Sequence, residues 1–260
     1  MKKLRRHQET KHLNRTLVFS FGLLFLFLLV SFLKDRFTGS EMTPKIRGAI
    51  VTHHEVAQEL MIDLGKKISN QGRVLSNIII VGPNHDELGG GNLLSDDELL
   101  VYKSEKLITH DEVVVNRDHA CFAPRSVLQK YLPNTKISCI LVSSRTREEE
   151  IKKIVEILKS SLGEDGVLVA SVDFSHYLPL RDALEKDSIT WKYIEEFDVE
   201  ALQKLNNDHL DSPKTMAILF EYLKNIGAMN FSKVKHVNSA QILGTLDSSS
   251  TTSYFEVIYW

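Results

Sequence analysis

From residue 46 onward, short unbroken apolar runs alternate with longer stretches in which apolar residues recur every three or four positions. "GAIVTH" (48–53), "IIIV" (78–81), "KISCILVS" (136–143) and "GVLVAS" (166–171) have strand length and no polar alternation, the pattern of strands buried on both faces. Between them lie helical stretches. Val56, Leu60, Leu64 and Ile68 share one helix face, as do Ile151, Ile154, Val155 and Leu158 in "REEEIKKIVEILKSSL". "LEKDSITWKYIEEF", "VEALQKL" and "TMAILFEYLKNIG" predict later helices, while "VKHVNS" and "SYFEVIYW" predict closing strands. Alternating strands and helices require crossover connections, so the expected class is α/β, one domain with a mostly parallel sheet flanked by helices. Residues 92–117, with "ELLVYKS" and "EVVVN", read as a hairpin-like insertion, and "DSSSTTS" near the end as a surface turn.

The first forty residues follow another pattern. Leu17–Leu33 is a seventeen-residue run without charge, preceded by "MKKLRRHQETKHLNR" with six Lys/Arg and one Glu. A membrane span needs about 17–25 apolar residues. No small-residue cleavage site follows in "SFLKDRF". The expected organisation is a basic cytoplasmic tail (1–16), a transmembrane signal anchor (17–33), a linker (34–45) and an α/β domain (46–260) outside the cytoplasm.

Residues 1–40 hold eight Lys/Arg and two Asp/Glu, a net of +6, which leaves about −8 on the remainder against the whole-chain −2. An acidic outer domain argues against nucleic acid as a partner. Cys121 and Cys139 are too few for a disulfide scaffold or a cysteine-rich zinc site. One disulfide and two buried thiols both remain open.

Candidate chemistry comes from where the histidines fall. His53 closes the first apolar run, His85 follows "IIIVGPN", and His176 follows "GVLVASVDFS". All three sit beyond the carboxyl ends of predicted strands, the edge where open α/β sheets bind ligands. Gly82 and Pro83 are expected to end the second strand, and Gly89–Gly91 to let a loop pass close to a bound ligand. Asp173 stands three residues before His176 and is expected to orient it for proton transfer. Ser175 has no Gly-x-Ser-x-Gly turn around it and reads as support. For His119, a site role and a place at the start of a helix capped by Asp118 are equally compatible with "NRDHACFAPRS". His110, His209 and His236 read as ordinary structural residues.

"GPNH", "VDFSHY" and "VNSAQILG", in this order, resemble the Memo-like family, also known as protein B of the AmmeMemoRadiSam system. The resemblance covers roughly residues 44–260. It implies a fold shared with the class III extradiol ring-cleaving dioxygenases, which hold non-haem iron on two histidines and a carboxylate. By resemblance His53 and His85 are metal ligands and His176 stands where the base would be. The family's opening Pro-His-Ala-Gly-Tyr survives only as "THHEV", and its third metal residue, a cysteine, is replaced in "HLDSPKTMAIL" by Asp211. Asp211 would complete a two-histidine, one-carboxylate set suited to Fe(II), with Cu or Zn also compatible. "DSP" is equally a helix start, with Asp or Ser as cap and Pro first in the helix.

The leading expectation is therefore a membrane-anchored, metal-dependent oxidoreductase of dioxygenase-like type acting on an unidentified small molecule. Its metal residues are His53, His85 and Asp211, and its proton-handling residues His176 and Asp173. A non-catalytic module that binds a ligand or peptide, and a metal-assisted hydrolase, are the two rival readings.

Overall fold

The computed structural model describes residues 44–246 and 248–260. The expected anchor, its basic flank and the linker up to residue 43 lie outside the described residues. Among the described residues no helix is long and apolar enough to cross a membrane.

Four strands form the parallel centre of the sheet. These are β1 (Gly48–Val51), β2 (Asn77–Pro83), β5 (Lys136–Val142) and β6 (Val167–Ser171), in the spatial order β5-β2-β6-β1. The registers are continuous across this centre: Ile80 faces Cys139 on one side and Val169 on the other, and Val169 faces Ala49. Successive residues of a strand point to opposite faces. Ile79, Val81, Leu168 and Ala170 accordingly enter one apolar layer, and Ile78, Ile80, Val167 and Val169 the other. Two-sided burial is why these runs read as unbroken apolar segments.

The edges are mixed. β3 (Leu93–Ser95) runs antiparallel to β5 and carries the two-residue β4 (Thr109–His110) beyond it. At the other edge β9 (Thr251–Tyr259) runs antiparallel to β1 and pairs with β7 (His176–Leu178) and β8 (Phe231–Asn238). α1 (Gln58–Ser69) packs against α2 (His119–Tyr131) over one face. α3 (Glu148–Leu162) packs against α5 (Pro213–Ile226) over the other, and α4 (Leu180–Glu195) lies on β9. Burying one Leu or Ile is worth about 1.5–3 kcal/mol, so this double layer is the main source of stability.

Four local expectations change. "ELLVYK" and "EVVVNR" are short helices, Glu98–Lys103 and Glu112–Arg117, rather than arms of a hairpin. Asp97 and Asp111 cap them by accepting from the Leu99 and Val114 amides, which overrides the strand preference of the valines. β2 runs through Gly82 to Pro83 instead of stopping before them. Its pairing with β6 ends at Val81 while pairing with β5 continues to Val142, so the missing proline N–H leaves no partner short. The close approach at Gly89 and Gly91 is to the protein itself: a Cβ at Gly89 would collide with Leu94, and one at Gly91 with Thr109. Finally, "DSSSTTS" is not all surface turn: residues 248–250 precede the sheet, Thr251 opens β9 and Ser253 is buried within it.

Candidate metal centre

His53, His85 and Asp173 are each the second residue beyond the end of β1, β2 and β6, three adjacent strands. Equal offset on adjacent parallel strands brings the three side chains to one rim. Pro83 and Asn84 carry the chain out of β2, and the Asn84 amide locks the turn by bonding Leu88 in both directions. A fourth element meets this rim: α2 begins there with His119. A Cβ on Gly82 would lie 2.8 Å from that of Ala120, so glycine is what lets the start of α2 sit against the end of β2.

His53, His85 and His119 form one cluster in which each ring offers a nitrogen, all within 4.8 Å of one another. His53 packs edge-on to both other rings, with centroids at 5.0 and 4.9 Å, and His85 stacks on His119 at 4.0 Å. His53 is buried, whereas His85 and His119 are open to solvent.

Two of the three rings are aimed by a polar partner. His53 Nδ1 lies 3.1 Å from Ser171 Oγ, leaving Nε2 toward Asp211 Oδ2 at 3.2 Å and Asp173 Oδ2 at 3.6 Å. His85 Nδ1 lies 2.9 Å from Asp118 Oδ1, while its backbone N–H donates to the other oxygen of the same carboxylate. Its Nε2 faces Asp211 Oδ2 at 3.9 Å. A histidine held at one nitrogen by a carboxylate, with the other free, is the usual arrangement around a metal ligand. Asp118 also caps α2 by accepting from the Ala120 amide. The two roles that the sequence left open for the Asp118–His119 pair are therefore both filled.

Asp211 does not take the cap position. The cap of α5 is Ser212, whose hydroxyl accepts from the Thr215 amide, with Pro213 first in the helix. Asp211 is left to turn into the cluster, where Oδ2 accepts from the Asp173 amide. Its Oδ1 is buried with no hydrogen-bond partner. A buried carboxylate oxygen without a donor is costly, and a cation among these side chains removes that cost. Imidazoles with one carboxylate are an N/O donor set suited to a first-row transition metal. The residues present fit such an ion.

The carboxylates dominate the electrostatics of the cluster. Burial alone would push the His53 imidazole down, but the carboxylates of Asp173 and Asp211 outweigh it and raise it to about 9. Burial works against the charge on Asp118 as well, yet the His85 hydrogen bond and charge hold its carboxyl below the ordinary range. His119 is lowered, first by burial and then by the facing His85 and His53.

His176, at the start of β7, is mostly buried, and burial holds its pKa below the ordinary value. Its Nδ1 is buried without a partner. Asp173, expected to orient it, instead accepts from the Thr52 hydroxyl at 2.5 Å and from the His53 amide, and so faces the cluster. Ser175 is committed elsewhere: its hydroxyl donates to Asp187 Oδ1 at 2.7 Å. Asp187, fully buried on α4, holds His236 Nε2 on its other oxygen at 2.8 Å, and the His236 ring stacks on Phe255 at 4.1 Å. Sequence reasoning missed Asp118, Thr52 and Ser171 as positioning groups. Only Asp118, adjacent to His119, left a visible signal. Cys121, two residues after His119, is joined to Cys139 on β5 by a disulfide.

Similarity to known proteins runs in the same direction. A "MEMO1 family protein" of Desulfurococcus amylolyticus is 26% identical over 172 residues, spanning 58% of this chain and 61% of that relative. Another from Pyrobaculum aerophilum is 22% identical over 203 residues, spanning 70% and 72% of the two chains. In three dimensions the chain resembles the crystal structure of an uncharacterized protein from Escherichia coli K12, with a TM-score of 0.53 at 12% identity. That likeness covers 81% of this chain and 99% of the other, and shows a shared fold. The family described as "Memo-like protein" matches residues 29–258, nearly the whole domain together with the site just described, and the chain belongs to that family.

Proposed function

We propose that this chain is a membrane-anchored Memo-like protein whose outer domain holds one divalent metal ion and carries out an oxidoreductase, dioxygenase-like reaction. His53, His85 and Asp211 are the proposed ligands, with His119 as a further imidazole beside them. The observation that carries this reading is the convergence of the His53 and His85 imidazole nitrogens on Asp211 Oδ2, while the second oxygen of the same carboxylate, Oδ1, is buried without a hydrogen-bond partner. Fe(II) is the metal this donor set suits best, with Cu and Zn as rivals. When bound, the ion would supply Lewis-acid polarisation and, as iron, electrons for oxygen chemistry.

The chain's own residues supply the rest. Ser171 and Asp118 orient the rings of His53 and His85 by occupying their Nδ1 atoms, and the Asp118 carboxylate, an acceptor, favours the Nδ1–H form of His85. Asp173 keeps Thr52 and the His53 backbone in place and adds negative charge behind His53. His176, neutral near pH 7 because of its burial, is the proposed proton acceptor. The anchor reading rests on the apolar run Leu17–Leu33 with its basic flank, and the Cys121–Cys139 bond supports placing the domain outside a reducing cytoplasm.

Elemental analysis of the protein, purified without a His tag under anaerobic conditions, tests the centre. About one metal ion per chain is expected, lost in the His53→Ala, His85→Ala double variant. A well-folded protein without metal would sink the proposal and favour a non-catalytic binding module. His176→Ala separates the same alternatives once a substrate is in hand: turnover should vanish while metal stays.

A further inference from the structure

A cavity of about 420 Å³ opens on the His85 and Asp211 side of the cluster. This is within the range of small-molecule sites, about 300–1,000 Å³. It lies between the loop after β2, the end of β5, and the segment 203–214 leading into α5. Which ligand it takes follows from which lining groups are still free to bond.

Two of the polar groups are already engaged in holding the loop. The Asn84 amide is closed on Leu88 through both its oxygen and its nitrogen. Glu87 accepts from the Ser143 hydroxyl and the Ser144 amide, and pairs with Arg145 at 3.4 Å. The opposite wall is uncommitted. Asn206 and Asn207 line the cavity, and their side chains bond to no described residue. Lys214 gives one N–H to Gln203 Oε1 at 3.2 Å and has no carboxylate within ion-pair distance among the described residues. An ammonium has three N–H donors and a primary amide two, so this wall offers a surplus of donors and a positive charge. The amino end of the fourteen-residue α5 adds potential of the same sign. Apart from His85 the lining contains no aromatic ring.

From this distribution we infer that the cleft binds a small aliphatic carboxylate. The carboxylate is held by Lys214 and the neighbouring amides, and a second oxygen is directed toward the His85–Asp211 end. The inference rests on reading that end as the metal centre, and it names the substrate class for that centre.

The probes are L-malate, inorganic phosphate and catechol, titrated calorimetrically into the full-length metal-loaded protein, with metal content measured on the same samples. Malate is expected to bind, and Lys214→Ala to weaken it about tenfold or more, as loss of a charge-assisted hydrogen bond should. Lys214→Arg should restore most of that loss, and neither variant should change metal content or the thermal midpoint. Three results would overturn the inference: malate affinity unchanged by Lys214→Ala, catechol binding more tightly than malate, or phosphate alone binding as well as malate with the same dependence on Lys214. Metal present without malate binding would reject the cleft reading alone. Metal absent from folded protein would reject the centre, and this inference with it.

Discussion

Two Asp–His clusters stand out among the described residues, and they are finished differently. In the first, Asp187 gives one oxygen to the Ser175 hydroxyl and the other to His236, whose ring is stacked on Phe255. Every polar atom of that carboxylate is used, and nothing points into open space. In the second, at the rim of β1, β2 and β6, Asp118 and Ser171 hold the outer nitrogens of His85 and His53, while the inner nitrogens face one another and Asp211. There Asp211 Oδ1 has no donor. The same residue types thus build a closed structural brace in one place and an open cluster in the other. What separates them is whether bonding capacity is left over and aimed at a shared point. Glu256 marks a third case. It is a buried carboxylate with the Lys67 ammonium 3.7 Å away and the Asp63 carboxylate beside it; burial first, then Asp63, outweigh the lysine and raise it to about 8, so it holds its proton rather than a metal.

The sharpest break between the two clusters is expected from His85→Ala, which removes a proposed ligand and should abolish tight metal binding. The loss, read by metal titration, should exceed the roughly 10–100-fold typical of an outer-shell change. Asp187→Ala should do the opposite. Stability should fall by about 3 kcal/mol in urea unfolding, because Ser175 and His236 lose their common partner, yet metal content should be retained. If metal were lost in that variant at temperatures where it is folded, the distinction between brace and centre would fail. Asp118→Asn keeps shape and removes the charge behind His85, so metal affinity should drop about 10–100-fold with little change in fold.

The smallest effect concerns Glu256 and is read as a pH profile. Its folded pKa is raised well above the unfolded carboxyl value. The stability it contributes as a neutral acid is therefore fully present below about pH 4.5 and is lost as pH rises through about 8. Glu256→Gln should flatten the decline in unfolding free energy between pH 5 and 8. An unchanged slope would mean that Glu256 is already ionised at neutral pH.

How far the sequence reached depended on whether a feature was local. The central strands were legible because two-sided burial demands continuous apolar runs, and His53 and His85 because each follows closely on such a run. Asp211 could not be separated from a helix cap, since "DSP" supplies two capping residues and only the fold shows that Ser212 takes that role. His119 was ambiguous for a similar reason, as Asp118 serves the helix start and His85 together. The valine-rich helix at 112–117 read as strand because one capping aspartate outweighed the propensity of three residues. The Asp187–His236 brace was invisible, as its partners lie 49 residues apart and neither sits in a motif. The Cys121–Cys139 bond was one of two open readings and depended on helix α2 lying against β5.

The central claim is that the rim cluster, and not the brace, holds a metal ion. A single side-by-side titration of metal into wild type, Asp211→Ala and Asp187→Ala tests it most directly. The account predicts one tight site per chain in wild type and in folded Asp187→Ala, and its loss or marked weakening in Asp211→Ala. Equal binding in wild type and Asp211→Ala, or no binding by folded wild-type protein, would contradict it.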